Sequence, residues 1–191
     1  ILMDHHALSS GAAIRTATSD TADRDAGADP YRGGSEGFTT VAEIFDEATN
    51  PGRKRPFSVR AVMDAVVDRD APRLERWRAM EDADGAVVWE TRLDGRAATV
   101  IGIESRSRPR GGSTPVDGPV EWAGGTLYPA ASKKVARAVR AASGTRPVVV
   151  PANLPGFDGS PEALRRRQLE YGAEVGRGVV EHEFGDFAAV L

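Results

Sequence analysis

The sequence predicts an α/β fold, and three observations carry the prediction. Two β-prone runs, Ala86–Leu93 and Ala97–Ile103, flank an Asp94-Gly95 pair, which marks a hairpin. Val135, Ala138, Val139 and Ala142 then recur at i, i+3, i+4 and i+7, the apolar face of a helix. A third apolar run, from Pro147 to Ala152, enters a loop with Pro155, Gly156 and Gly159 and gives way to a long charged helix. The order is β-β-α followed by β-α.

The elements before the hairpin are weaker. Residues 10–38 are rich in Ser, Thr, Asp, Gly and Ala and are predicted to form a polar linker. Val41, Ile44 and Phe45 share a short helical face, which Asn50-Pro51-Gly52 ends. Val59, Val62, Met63 and Val66 predict a second helix. Beyond the hairpin, Ser105 to Gly118 reads as a flexible Arg/Gly/Pro/Ser loop leading to Glu121-Trp122-Ala123-Gly124-Gly125. The helix over residues 131–143 ends where Gly144 occupies C′. The last helix starts with Ser160 as N-cap and Pro161 at N1, and its apolar stripe is Leu164, Tyr171, Val175 and Val179. Gly172 and Gly176 lie within it, each at a cost of ~1 kcal/mol relative to alanine. Their spacing predicts close backbone packing against a neighbour.

Composition narrows the function. The 191 residues are 40% hydrophobic, enough for a core, and a net charge of −3 argues against bulk nucleic-acid binding. Of the 25 basic residues only Lys54, Lys133 and Lys134 are lysines, so no single arginine carries much weight. There is no cysteine, which excludes disulfides, thiolate metal sites and a cysteine nucleophile. No apolar run approaches the ~20 residues that span a bilayer. The opening ILMDHHALSSGAA lacks the basic and apolar regions of a secretory signal. A cytoplasmic protein with no membrane and no nucleic-acid partner is the expectation.

The glycine loop is the leading chemical feature. A strand that breaks into such a loop before a helix aims backbone N–H groups at one point, where an oxyanion or phosphate can sit. The same glycines equally serve a plain βα connection that needs positive φ. Lys133 and Lys134 fall in the first turn of their helix, where positive charge opposes the macrodipole by ~0.3–1 kcal/mol each. They either meet ligand phosphates or stand in solvent. Gly52-Arg53-Lys54-Arg55 could touch nucleic acid or a nucleotide phosphate, but the run is short, has no interleaved aromatic beyond Phe57 and reads first as a solvated turn. His5, His6 and His182 are the only histidines, and adjacent His5 and His6 cannot face one metal as an i, i+4 pair would. Ser160 followed by Pro161 suits a helix start and not a nucleophile elbow. Neither a P-loop nor a dinucleotide fingerprint is present. Trp77, Trp89 and Trp122 are expected to be core or interface anchors.

Four segments together carry a family resemblance: NPGRKRPFSVRAVM (residues 50–63), AVVWETRLDGRAATVIGIESR (86–106), EWAGGTLYPAASKKVARAV (121–139) and PANLPGFDGSPEALRRRQLEYGAEVGR (151–177). In this order the chain resembles the C-terminal half of the carboxyltransferase of biotin-dependent acyl-CoA carboxylases, in particular the multidomain acetyl-CoA carboxylase type. The resemblance implies a crotonase-like spiral of β-β-α units, incomplete in this chain. Residues 1–9 are then a remnant of a preceding N-terminal carboxyltransferase domain, 10–38 the linker, 39–180 a partial C-terminal domain and 181–191 a divergent tail. It also implies carboxyl transfer to acetyl-CoA or a related short acyl-CoA, through enolates held by backbone N–H groups.

Carboxybiotin is the implied donor, delivered by a carrier domain and not bound permanently by this segment. The implied partners are acyl-CoA, the biotin carboxyl carrier and biotin carboxylase domains, and a second copy in a homodimer. The substrate-binding positions carried over are Gly125, Leu127, Tyr128, Lys133, Lys134, Pro155, Gly156, Phe157 and Gly159; no catalytic side chain is assigned. Leu127 stands where eukaryotic-type relatives carry an aromatic, and Pro155 where an arginine precedes the Gly-Phe pair. Both oxyanion-hole segments of the family are expected outside this sequence. The isolated chain is therefore expected to be inactive, with apolar patches exposed on the last helix and on the hairpin. The alternatives are a non-catalytic binding or interaction module on the same scaffold, and an independent α/β fold with a phosphate-binding loop.

Overall fold

A computed structural model describes residues 25–111, 114–151, 156–183 and, for the backbone, 187–190. Its centre is the hairpin of strands β2 (Ala86–Leu93) and β3 (Arg96–Ile103), paired in register from Leu93↔Arg96 to Ala86↔Ile103. Asp94 (φ 50°) and Gly95 (φ 73°) both adopt the left-handed conformation that a two-residue hairpin turn requires. The buried Asp68 carboxylate caps this turn, accepting the N–H groups of Asp94 and Gly95 at 2.8 Å each. Strand β1 (Leu74–Glu75) flanks β2 in antiparallel fashion. On the other side β7 (Val148–Pro151) runs parallel to β3, and β9 (Phe187–Val190) parallel to β7. The main sheet is thus ordered β1-β2-β3-β7-β9.

Helices cover both faces of the hairpin, which explains why its strands are apolar without clean alternation. On one face, helix α1 (Val59–Val66) lays Val59 and Met63 against Val87, Trp89 and Val100. Gly102 makes this contact possible: a Cβ there would lie 2.5 Å from Met63 Sδ and 2.6 Å from Val59 Cγ2. On the other face, helix α2 (Pro129–Ala142) packs Ala131, Val135, Ala138 and Val139 on Ala86, Val88, Ile101, Ile103 and Val148. Burial of these side chains is the main source of stability, at about 25 cal/mol per Å² of apolar surface.

Two further helices, α3 (Pro161–Arg165) and α4 (Gln168–Val180), replace the single long helix that the sequence predicts. Arg167, at φ 66°, breaks the run in the left-handed region. α4 lies along α2, and the glycine at the close approach is Gly178, whose Cβ would meet Val139 Cγ1 at 3.1 Å. Gly176 faces open space and Gly172 makes only ordinary contact with Phe157, so the predicted role of that pair is corrected.

Other expectations also change. From Asp25 onward the segment predicted to be a linker is packed: Tyr31 and Phe38 join Val41, Ile44, Phe57, Val62 and Ala65 in a core cluster. The Tyr31 hydroxyl accepts the Ser58 N–H at 2.8 Å, at the start of α1. The helix around Val41 is a single 3-10 turn, Ala42–Ile44, and Phe45 is exposed. Exposed apolar residues occur on the last helices, at Leu164, Leu169 and Val180, but the hairpin is covered. Trp89 and Trp122 are buried anchors. Among the described residues no helix is long and apolar enough to cross a membrane, and no group of three or more potential ligands stands ready for a metal.

Candidate functional site

Two of the motif segments meet in a short parallel pair. Strand β6 (Thr126–Leu127) runs beside β8 (Gly156–Phe157), with Thr126 opposite Gly156 and Leu127 opposite Phe157. The Asp158 N–H extends the contact to Leu127 O at 3.0 Å. Upstream, the Gly124-Gly125 turn is fixed on the exit of β3. A Cβ on Gly124 would stand 1.9 Å from Ser105 O, while Gly125, at φ 75°, donates its N–H to Glu104 O at 2.7 Å. Only glycine satisfies both the clash and the positive φ.

Downstream, the loop turns into α3. The Ser160 hydroxyl donates to Asp158 Oδ2 at 2.6 Å and accepts the Ala163 N–H at 3.2 Å, a typical N-cap. The Ser160 N–H is taken by Asp158 Oδ1. Among the described residues the Gly159 N–H has no acceptor, and no atom lies within 4 Å of where a Cβ on Gly156 or Gly159 would stand. The loop therefore presents open backbone at these two glycines.

A charged network holds the loop from behind. Arg110 pairs with Glu162 of α3 through both guanidinium ends, and the two side chains are 6% and 9% exposed. The Arg110 guanidinium also sits over the Trp122 ring, 4.5 Å from its centroid. Arg166 continues the chain of charges from Glu162 (3.3 Å) to Asp82 (3.7 Å). Hydrogen bonds from Arg110 hold the Glu162 carboxyl below the usual carboxylate range, and the same bonds raise Arg110. The absent Cβ of Gly118 leaves room for this carboxylate, since a methyl there would lie 1.9 Å from Glu162 Oε2. The loop from Ser105 to Gly118 is thus anchored where it was expected to be flexible: β4 (Arg108–Pro109) also pairs with β5 (Glu121–Trp122). A shallow recess lies between the network and the glycine loop, lined by Trp122, Tyr128, Asp158, Glu162 and Arg166.

The family model of the carboxyl transferase domain matches residues 17–190. The chain belongs to the carboxyl transferase family. The β-β-α unit of β2, β3 and α2, with β7 and α4 following, is accordingly read as part of a crotonase-like fold. Among curated proteins no sequence matches the chain significantly. The family match reaches further than the 39–180 inferred from motifs alone. It covers both the packed segment before Val41 and the tail after Val180, whose Phe187–Val190 forms a sheet strand.

In this carboxyl transferase chain the predicted site residues separate into groups. Gly125, Gly156, Phe157 and Gly159 gather around the β6–β8 junction, with Phe157 46% exposed. Leu127 does not face a cleft; its side chain is buried in the main core against α2. Tyr128 is also buried: its ring packs on Trp122 (4.4 Å between centroids), and its hydroxyl accepts the Ala123 N–H at 3.1 Å, though its edge reaches the recess. Lys133 and Lys134 do not act as a pair, because successive helix positions diverge by 100°. Lys133 lies over the Tyr171 ring at 5.6 Å, whereas Lys134 is buried, donates to Ala83 O at 3.4 Å and has its pKa depressed by burial. With α2 starting at Pro129, both lysines fall in its second turn. Pro155 lies outside the described residues.

Sequence reading missed Arg110, Glu162 and Arg166. Arginines are abundant in this sequence, and nothing local marks Arg110 as one whose side chain is buried. The available signal was Glu162 directly after a helix-starting Ser-Pro, since an acidic residue in a first turn is favoured there.

Proposed function

We propose that the chain forms part of an acyl-CoA carboxylase carboxyltransferase, moving a carboxyl group from carboxybiotin to acetyl-CoA or a related short acyl-CoA. The observation that carries the reading is the β6–β8 junction. It joins the two most specific motif segments and leaves the Gly159 N–H without an acceptor among the described residues. Carboxybiotin presents planar groups edged with acceptor oxygens, and the open backbone at Gly156 and Gly159 beside the exposed Phe157 ring fits such a group. When bound it supplies the carboxyl carbon. In the net reaction the acyl α-carbon loses a proton and gains that carbon, and the broken N–C bond leaves its electron pair on nitrogen, which takes up the proton.

Within this reading the residues of the chain act by position. The Gly159 N–H donates to an oxygen on which charge builds, and loss of one such donor costs about 10²–10³ in rate. Asp158 and Ser160 fix the loop so that the donor is preorganised, and Phe157 excludes water on the exposed side. The Arg110–Glu162 pair anchors α3 behind the loop. Residues 39–180 then correspond to the C-terminal carboxyltransferase part, with 25–38 packed onto it. Carrier and carboxylase domains, acyl-CoA and a second copy are the partners this reading requires.

The test is the reverse reaction, in which malonyl-CoA is decarboxylated with biocytin as acceptor, measured on the enzyme that carries this chain. Gly159→Ala retains the N–H and is expected to retain activity; Gly159→Pro removes it and is expected to lose about 10²–10³ in kcat. Equal activity in the two variants would refute the donor role. No turnover in the unmodified enzyme with any short malonyl-type CoA ester would favour the non-catalytic module.

A further inference from the structure

A separate groove lies on the outer side of α1, formed by the segment from Asp29 to Arg32, the helix itself and the stretch from Arg69 to Arg73. Its volume is about 470 Å³, within the range of small-ligand sites. Two features define its chemistry. Ala61 and Ala65, one helical turn apart, join Pro30 to make an apolar floor hollowed by small side chains. Around that floor stand three guanidiniums and two carboxylates.

The charges do not cancel. Asp29 pairs with Arg69 at 2.7 Å, tying one wall to the other, and Asp64 pairs with Arg73 at 2.6 Å. The remaining guanidinium, Arg32, is exposed and makes no hydrogen bond or ion pair with any described residue. Among the described residues that line it, the groove therefore carries three positive charges against two negative ones, in a chain whose net charge is −3. Arginine offers paired N–H donors that match phosphate oxygens. The two carboxylates repel a long polyphosphate, and the alanine floor favours a flat or aliphatic body over a bare inorganic ion.

We propose that this groove binds a small organic monophosphate of nucleotide size, with its apolar body on Ala61 and Ala65 and its phosphate on Arg32. The site is independent of the β6–β8 junction, being built on α1, which covers the opposite sheet face from α2.

The experiment is calorimetric titration of the 191-residue chain with AMP, adenosine and inorganic phosphate as probes. AMP is expected to bind saturably, more weakly as salt rises, and more tightly than either adenosine or phosphate alone. Arg32→Glu is expected to weaken AMP about tenfold or more, one charge-assisted hydrogen bond's worth, with an unchanged thermal midpoint because Arg32 is exposed and supports no other group among the described residues. Ala61→Leu, which fills the floor, is expected to weaken AMP and adenosine while sparing phosphate. Absence of saturable AMP binding up to millimolar concentration would overturn the proposal. So would AMP binding that Arg32→Glu leaves unchanged, or phosphate binding as tightly as AMP.

Discussion

Replacing Gly102 by alanine tests whether α1 is seated on the sheet as described. The new methyl would stand 2.5 Å from Met63 Sδ and 2.6 Å from Val59 Cγ2. Carbon atoms pack at about 3.5–4.0 Å, so each contact is short by roughly 1 Å. Met63 is fully buried and Val59 nearly so, which leaves neither side chain a free rotamer to retreat into. Overpacking of this kind costs about 1–3 kcal/mol. Removing a strand glycine returns about 0.5–1 kcal/mol. The expected net loss is therefore about 1–2 kcal/mol, or roughly 2–8 °C in Tm for a chain of this length. Urea unfolding should show a lower midpoint at unchanged slope. The diagnostic step is a double-mutant cycle. In a Met63→Ala background the sulfur is gone, so Gly102→Ala should cost less, with a coupling of about 0.5–3 kcal/mol; Val59→Ala should couple in the same direction. A neutral Gly102→Ala, or an equal cost in all three backgrounds, would refute the packing argument.

Three further perturbations follow from buried charge and capping. Lys134→Met should stabilise the chain by about 1 kcal/mol at pH 7, because burial of the ammonium outweighs its long hydrogen bond to Ala83 O. The folded pKa of Lys134 lies below its ordinary 10.5, so the unfolded chain binds the extra proton between the two values. The parent should accordingly gain stability as pH rises towards that value, and the variant should not; urea midpoints at pH 7 and in the alkaline range decide it. Glu162→Gln should cost about 3 kcal/mol by stranding the Arg110 guanidinium in a buried position. Glu162 has a depressed folded pKa, so its contribution is complete above 4.5 and is lost as pH falls through the lower folded value. The acid limb of stability against pH should therefore flatten in this variant. Ser160→Ala should cost about 1 kcal/mol and speed hydrogen exchange at the Ala163 amide, whose cap it removes.

The hairpin and the helix after it were legible in the sequence because their signals are local. Asp94-Gly95 sets the turn, and Val135, Ala138, Val139 and Ala142 declare a buried face without reference to anything distant. The seating of Gly102 was not legible, since it depends on side chains about forty positions earlier on another element. Tyr31 and Phe38 illustrate the same limit. Two aromatics in a polar stretch have no periodicity, and their burial rests on Phe57 and α1. The break at Arg167 has no proline or glycine to announce it. At the site, the glycines and the N-cap serine could be read from residue type. The different surroundings of Lys133 and Lys134 could not, because they follow from which way α2 faces the sheet.

The β6–β8 ladder has a further consequence. It contains two residue pairs, and one additional bond from Asp158 completes it. A contact that small can part by local opening at a fraction of the free energy that unfolds the hairpin. The glycine loop is therefore a seam in an otherwise continuous structure. It is held in register mostly by its neighbours, the fixed Gly124-Gly125 turn on one side and the Arg110–Glu162 clamp on the other. Its rigidity is borrowed, and a change at either anchor reaches the loop without touching Gly156 or Gly159.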